Sequence, residues 1–583
     1  MRPAEGRSAD RACDVVASLM RRGTAGVVLA PALAVAAAAA VHVLAALHLD
    51  TRAPTDGEAR LAAAVYAASG GAVGPVPLPL PDLLAARQLA AVTALVPPGT
   101  WAVWATVQVG ALACGLLTAV LLWPVLRRLG CGGGPTALGI ALVGVTPPAV
   151  ALHSAATGAA VAVPWLLLAA VVAGRGWLRR VAAGGAVVVA ALTAPLVGAA
   201  VLALAAHAVL DGTVLRRPGR AVRVGVGIVM AAAAVALAVT AAGHGPLVGI
   251  AGPLAGRVVA SVLAAGVVLV VAGWRVRWVR PLLSPAVLLL AALLAPGPGR
   301  TVAALAVLPF LAVVLAAVAE ALADRVPGWL RWPLPALAGG AAAVGTVLLF
   351  PVPGRGAEPA PSLLLGWMDE QLPPGTTLHA DALDRAELIE AGFPAARLRS
   401  LGAPVTAADA VLLATRPGAV PTGSCAAGEL RATLPWWGGA PAELCGAMDP
   451  VAMDDAERAG RIRIGTALAG NRGLQLGPDA AELLTSGRVD PRLMIVLSVL
   501  ATSHTLTVSD FPTAPYEPAD SLRRHVLLAS VDGLPTDNTP GPAFLREWLA
   551  GQHAPFIPAV VRVDDGGLLV GYRAPTPAGL LPG

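Results

Sequence analysis

Charge is scarce in this chain, and lysine is absent from it. Only 13% of the 583 residues are charged, and all 41 basic residues are arginine. Hydrophobic residues make up 56% of the sequence, and the mean hydropathy is +0.73. These values exclude an ordinary soluble protein and indicate a multi-pass membrane protein. The missing lysine, with the abundance of Ala, Val, Gly and Pro, indicates a G+C-rich coding bias rather than a function.

Residues 352–583 lack the common catalytic signatures. They contain no Gly-x-Ser-x-Gly elbow, His-Glu-x-x-His pair, phosphate-binding Gly-x-x-x-x-Gly-Lys loop or Cys-x-x-Cys pair. His379 and His504 are single polar residues near the ends of predicted elements. This isolation favours surface or hydrogen-bonded core histidines over catalytic ones.

The charge is divided unevenly along the chain. Residues 1–351 hold 24 Arg against 10 acidic residues, a balance of +14. Residues 352–583 hold 17 Arg against 25 acidic residues, a balance of −8. Because the basic excess lies in the apolar part, the total of +6 indicates membrane orientation rather than nucleic-acid binding.

The apolar runs predict about eleven membrane-spanning helices, since a spanning helix needs roughly 20 apolar residues. The first run is too long for the apolar region of a cleavable signal, so we expect it to remain as a span. One long run is split at Thr193-Ala194-Pro195, because proline favours a break there. The predicted helices are 24–48, 101–126, 135–152, 157–174, 181–193, 195–212, 222–241, 258–274, 281–296, 301–322 and 332–351.

Arginine placement predicts the orientation of these spans. With residues 1–23 as a cytoplasmic tail, 19 arginines fall on the cytoplasmic side and five on the outer side. This asymmetry is the one expected for a protein of the plasma membrane. The transmembrane region is then 24–351, and an odd number of spans places the soluble domain 352–583 outside the cell.

The outer domain is predicted to be α/β or α+β, with a βαβ-type element near its start and a β-hairpin at its end. Cys425 and Cys445 lie twenty residues apart, and in an oxidising compartment they are candidates for a disulfide; two unpaired thiols are the alternative. Trp436 and Trp437 leave two interpretations open. An exposed pair could stack on a sugar or lie at the membrane interface, whereas ordinary packing would bury it.

The first outer loop, 49–100, collects the only acidic residues on the outer side of the membrane region: Asp50, Asp56, Glu58 and Asp82. Two helices predicted in this loop would cover the bundle as a roof over a cavity. A carboxylate there could deprotonate a hydroxyl, and nearby arginines could hold a leaving phosphate. Thr55-Asp56-Gly57-Glu58 is also typical of a helix start, so the acids could serve as caps; the two roles are compatible.

The layout resembles the GT-C class of integral membrane glycosyltransferases, in particular its protein-mannosyltransferase-like and aminoarabinose-transferase-like branch. Glu58-Ala59-Arg60-Leu61-Ala62 is similar to the Asp-Glu-Ala-Arg-Tyr-Ala pattern of that family. Gly299-Arg300 is similar to the Arg-Tyr that opens a late helix. The family's acid directly before the glutamate is Gly57 here, and the second outer loop offers only His153 instead of an acid.

This resemblance implies transfer of a sugar, with inversion, from a polyprenyl-phosphate donor to an extracytoplasmic acceptor. It implies Asp56 or Glu58 as the base, and it implies substrate contacts from a further set of residues. A divalent metal cofactor is left open. The residues implied at the substrate are Asp50, Arg60, His153, Arg257 and Arg300.

Two other classes of function stay open at this point. A non-catalytic relative could use its outer domain to bind a cell-envelope partner. A transporter is less favoured, because no charged residue is placed firmly inside a predicted span. A lateral groove between the first outer loop and the bundle would favour the transferase, and a filled bundle would favour the non-catalytic protein.

Overall fold

A computed structural model describes the greater part of the chain, and it divides into two compact units. The first contains Met1–Arg355 and Arg416–Ala419, and the second contains Gly356–Thr415 and Val420–Gly583. The described residues are 24–47, 53–95, 102–211, 220–244, 253–294, 299–323, 360–406, 409–414, 416, 430–437, 440–446, 454–536 and 543–581.

The regular elements described in the first unit are all helices. A 3₁₀ turn, Arg277–Val279, precedes its twelfth α-helix. The helices are α1 (Thr24–Ala46), α2 (Asp56–Ala68), α3 (Leu80–Thr93), α4 (Val103–Arg128), α5 (Gly133–Gly144), α6 (Pro147–His153), α7 (Gly158–Val172), α8 (Trp177–Thr193), α9 (Pro195–Leu210), α10 (Arg220–His244), α11 (Pro253–Gly273), α12 (Arg280–Leu294) and α13 (Gly299–Ala323).

Four segments of the described chain are long and apolar enough to cross a membrane: Val28–Ala46, Val103–Arg128, Arg277–Leu294 and Gly299–Leu322. The bent pair α5 and α6 makes a fifth if it is counted as one span. These four or five candidate spans support the prediction of a membrane protein. The larger number of eleven stays a prediction, and its last helix, 332–351, lies outside the described residues.

Prolines divide the helical runs. The single helix predicted over 135–152 is wrong, because α5 and α6 meet at an angle of 52°. Pro147 and Pro148 begin α6 and have no backbone N–H to continue the hydrogen bonds of α5. The predicted break before Pro195 is confirmed: Ala194 adopts extended backbone, and Pro195 is the first residue of α9.

Small side chains let the helices of the first unit approach closely. A Cβ on Gly144 of α5 would lie 2.5 Å from the Cβ of Ala38 on α1. A Cβ on Gly139 would lie 3.1 Å from the carbonyl oxygen of Ala312 on α13. Such small-residue contacts are typical of helix packing in membranes, where burial of apolar surface no longer drives association.

In its described residues, the second unit combines helices with two sheets. Its helices are α14 (Ala360–Gln371), α15 (Ala382–Glu390), α16 (Asp455–Ala469), α17 (Pro478–Thr485), α18 (Pro491–Leu500) and α19 (Ala543–Ala550). Its strands are β1 (Leu378–Ala380), β2 (Leu398–Ser400), β3 (Ala410–Ala414), β4 (Leu430–Pro435), β5 (Pro441–Gly446), β6 (Leu474–Leu476), β7 (Leu506–Asp510), β8 (His525–Val531), β9 (Leu534–Pro535), β10 (Val560–Asp564) and β11 (Gly567–Gly571).

The first sheet has the strand order β2-β1-β3-β5-β4. Strand β1 pairs in parallel with both β2 and β3, and α15 lies between β1 and β2 in the chain. This arrangement confirms the predicted βαβ-type element. Strands β4 and β5 complete the sheet as an antiparallel pair.

The second sheet has the order β10-β11-β8-β7-β6, and β9 pairs with β8. Only β6 and β7 pair in parallel among its described strands. The predicted terminal hairpin is confirmed by the antiparallel pairing of β10 with β11. Hydrogen bonds from Thr433 N to the Tyr516 carbonyl and from Ala574 N to the Gln371 carbonyl tie the two sheet regions into one unit.

Candidate functional site

The start of α2 is held by a reciprocal cap. Glu58 N donates to Thr55 Oγ1 at 3.4 Å, and Thr55 N donates to Glu58 Oε2 at 3.0 Å. The Thr55 hydroxyl also donates to the same Glu58 oxygen at 3.0 Å. This is the capping box that Ser/Thr-x-x-Glu predicts, and it leaves Glu58 0% exposed. The capping role is therefore confirmed for Glu58.

Asp56 lies in the first turn of α2 among positive charges of the first unit. Its carboxylate forms an ion pair with Arg60, one turn further along the helix. Arg416, which belongs to the same unit, is only 7% exposed. Burial lowers the pKa of Arg416 to about 10, and the charge of Asp56 acts in the opposite direction. A carboxylate paired with one guanidinium group, and acting electrostatically on a second, offers a proton acceptor with anion-binding donors in the same unit.

A second carboxylate of this loop lies at the start of α3. Burial raises the pKa of Asp82 to about 6, so this group exchanges its proton near neutral pH. Two further hydrogen bonds attach α3 to the bundle. Gln88 Nε2 donates to Thr193 Oγ1 at 2.9 Å, and Trp165 Nε1 donates to Gln88 Oε1 at 2.6 Å. Sequence reasoning missed Gln88, because only the folded chain brings its partners beside it.

The structure places the other predicted substrate residues separately. His153 is buried at the end of α6, where its ring faces His42 of α1. Arg300 is exposed in the first turn of α13. Arg257 is a residue of α11 whose side chain lies outside the description, and Asp50 lies outside the described residues. Asp56, Glu58 and Arg60 are thus the predicted residues that one short segment brings together.

The tryptophan pair of the second unit is packed around a carboxylate. Trp436 is 4% exposed, and its ring meets that of Trp437 edge-on with the centroids 6.0 Å apart. Both indole N–H groups donate to Asp384 Oδ1, at 2.9 Å from Trp436 and 3.1 Å from Trp437. Burial raises the pKa of Asp384 to about 6, and the two indole hydrogen bonds lower it. Of the two interpretations of this tryptophan pair, ordinary packing is therefore confirmed.

The isolated histidines of the second unit also have structural partners. His379 is buried, with Nδ1 at 3.2 Å from the Ser400 carbonyl and Nε2 at 3.3 Å from Asp409 Oδ2. His504 Nδ1 lies 2.7 Å from Asp532 Oδ2, and its ring stacks on Phe544. These contacts agree with the predicted structural roles.

The remaining candidates for chemistry are the cysteines and possible groups of metal ligands. Cys445 is disulfide-bonded, while its predicted partner Cys425 lies outside the described residues, so that pairing stays a prediction. Cys114 and Cys131 are buried free thiols. Across the described ranges, no group of three or more His, Cys, Asp or Glu side chains is arranged to hold a metal ion.

No family model, curated protein or solved structure matches this chain. The fold and the site therefore define only a general class of protein. The described residues form a largely helical region, with four or five apolar segments able to span a membrane, and a sheet-containing C-terminal unit.

Proposed function

We propose that the protein is a membrane glycosyltransferase of the GT-C type. It moves a sugar from a polyprenyl-phosphate donor to a hydroxyl-bearing acceptor at the outer face of the membrane. The acceptor oxygen attacks the anomeric carbon, the bond from that carbon to the phosphate oxygen breaks, and polyprenyl phosphate leaves. The acceptor's proton passes to a carboxylate.

One observation carries this proposal: the carboxylate of Asp56 lies beside Arg60 and within electrostatic reach of buried Arg416. Guanidinium groups bind phosphate oxygens through charge-assisted hydrogen bonds. The side chain of Asp56 is 25% exposed, whereas Glu58 is enclosed by its cap. We therefore assign the base to Asp56 and a positioning role to Glu58, which orients the first turn of α2.

The test uses the full chain, reconstituted in lipid vesicles with a radiolabelled polyprenyl-phosphate sugar and cell-envelope acceptors. We expect the wild-type protein to release polyprenyl phosphate, and Asp56→Asn to lower the rate by about 10²-fold or more, the range of a lost general base. Glu58→Gln keeps a side chain that can complete the cap, so it should retain much more activity.

Glu370→Gln is the matched control, because Glu370 forms an exposed ion pair with Arg562 in the second unit. It should leave the rate unchanged. Wild-type rates from a folded Asp56→Asn protein would remove Asp56 as the base. If the wild-type protein releases no polyprenyl phosphate from any donor tested, the non-catalytic alternative replaces the transferase.

A further inference from the structure

Two buried histidines from different helices face each other inside the first unit. His42 of α1 and His153 of α6 have ring centroids 5.6 Å apart and ring planes inclined by 36°. His42 is 4% exposed and His153 is 2% exposed. The ring of His153 lies against Gly115 of α4, where a Cβ would come within 2.5 Å of His153 Cγ. Three helices therefore shape the surroundings of the pair.

The hydrogen bond of His42 determines which of its nitrogens can act as a ligand. His42 Nδ1 lies 2.8 Å from the carbonyl oxygen of Ala38. Because a carbonyl only accepts, Nδ1 carries the hydrogen, and Nε2 of the neutral ring presents a lone pair. Neither His42 Nε2 nor His153 Nδ1 has a hydrogen-bond partner within the described part of the chain. Buried nitrogens in this state cost free energy unless something binds them.

We propose that His42 and His153 together bind one transition-metal ion of the kind that prefers imidazole, copper or zinc. Metal-bound histidines characteristically donate their other ring N–H to a carbonyl or carboxylate, as His42 does to Ala38. With metal–nitrogen bonds of about 2.0–2.1 Å, two imidazoles on one ion have centroids roughly 5 to 6.5 Å apart. The separation of 5.6 Å lies within that range.

The ligand set decides between classes of metal ion. Calcium and magnesium prefer oxygen ligands, whereas neutral imidazoles suit copper and zinc. No third His, Cys, Asp or Glu joins the pair among the described residues, so further coordination positions are open to water or an added ligand. The ion is therefore exchangeable, in contrast to a structural zinc closed by four protein ligands. This site is independent of the proposed transferase chemistry.

The test measures metal content directly. The full chain is purified in detergent through a tag without histidines, incubated separately with Zn²⁺ or Cu⁺, passed through gel filtration and analysed by mass spectrometry of the metals. We expect about one equivalent of metal on the wild-type protein, and about a tenfold lower metal content in both His42→Gln and His153→Gln, because each loses one of two ligands. His207→Gln is the matched control, since His207 pairs with Asp211 at 3.0 Å and is partly exposed; it should bind as the wild type does.

A second measurement does not depend on the variants folding. X-ray absorption of the metal-loaded wild-type protein should show imidazole scattering from two rings. Metal content that is unchanged in folded His42→Gln and His153→Gln overturns the proposal, as does a first shell without imidazole. A wild-type protein that retains neither metal also overturns it, because the two nitrogens would then be satisfied by water.

Discussion

At the scale of single residues, the burial of His525 should make the stability of the second unit depend on pH. It begins β8, and its ring lies over Gly571, where a Cβ would come within 2.2 Å of His525 Cδ2. Gln371 Nε2 lies 3.4 Å from His525 Nε2, an arrangement that suits a neutral imidazole. Burial lowers the pKa of His525 to about 4, and the charges of Arg524 and Arg562 lower it further, against Asp490.

The consequence is a stability that falls with acid. The unfolded chain binds a proton at this histidine below about pH 6.5, whereas the folded chain binds it only near pH 4, so unfolding takes up a proton between these values. Stability should therefore be lost as the pH falls through this window, by about 3 kcal/mol at most. His525→Gln removes the titrating group. On acidification, the free energy of unfolding of this variant should therefore fall less than that of the wild type, by up to that amount.

Thermal unfolding of the full chain in detergent, followed by tryptophan fluorescence at about pH 7 and about pH 4.5, measures this difference. His553→Gln is a suitable control, because His553 is exposed. If His525→Gln and the wild type lose the same stability on acidification, His525 is not the group responsible.

At the scale of elements, the first turn of α2 depends on Thr55. Its hydroxyl satisfies the N–H of Glu58, which has no partner inside the helix, and its own N–H is satisfied by the Glu58 carboxylate. Thr55→Ala should cost about 1 kcal/mol of local stability, the usual value for a lost N-cap. Backbone amides of residues 56–60 should then exchange with deuterium several-fold faster, as measured by mass spectrometry of the full chain.

Ser69→Ala tests the other end of the same helix. Ser69 is the C-cap, and its hydroxyl donates to the Val65 carbonyl at 3.0 Å. This change should leave exchange in the first turn as it is in the wild type. Equal exchange in Thr55→Ala and the wild type would mean that packing, rather than the cap, holds the turn that carries Asp56.

Local signals explain which elements could be predicted from the sequence. The sequence predicts strands at 410–414 and 525–531 and a helix near 454–469. Strands β3 and β8 have these bounds, and Asp454 caps α16 at the predicted start. Strands β2, β4, β5, β6, β7 and β9 were not predicted. Of these, β2 and β6 have three residues each and depend on a partner elsewhere in the chain. No periodic pattern develops over so short a segment.

The candidate site likewise contains some contacts that a local motif predicts and others that it does not. The cap at Thr55 and Glu58 could be read from a four-residue motif. The hydrogen bond between Trp165 and Gln88 joins residues 77 positions apart in the sequence. The electrostatic interaction of Asp56 with Arg416 joins residues much further apart. Contacts at such separations leave no local pattern, because they result from tertiary packing. The pairing of His42 with His153 could not be predicted for the same reason.

At the scale of the whole molecule, the proposed chemistry depends on the side of the membrane that α2 faces. The arginine asymmetry predicts that the loop containing α2 and α3 is outside and that the turn before α8 is cytoplasmic. Ser69 after α2 and Arg175 before α8 are both exposed residues of the first unit. They offer two matched positions for a reporter cysteine in a chain whose own cysteines are replaced by serine.

With Ser69→Cys, a membrane-impermeant maleimide should label intact cells, because the thiol is reached from outside. With Arg175→Cys, labelling should require permeabilised cells, since the arginine-rich turns are retained on the cytoplasmic side by the membrane potential and anionic lipids. The reverse pattern would place Asp56, Arg60 and Arg416 on the cytoplasmic side. An acceptor outside the cell could not then reach the carboxylate, so the assignment of Asp56 as the base for extracytoplasmic transfer would fail, whereas the metal site at His42 and His153 would stand unaffected.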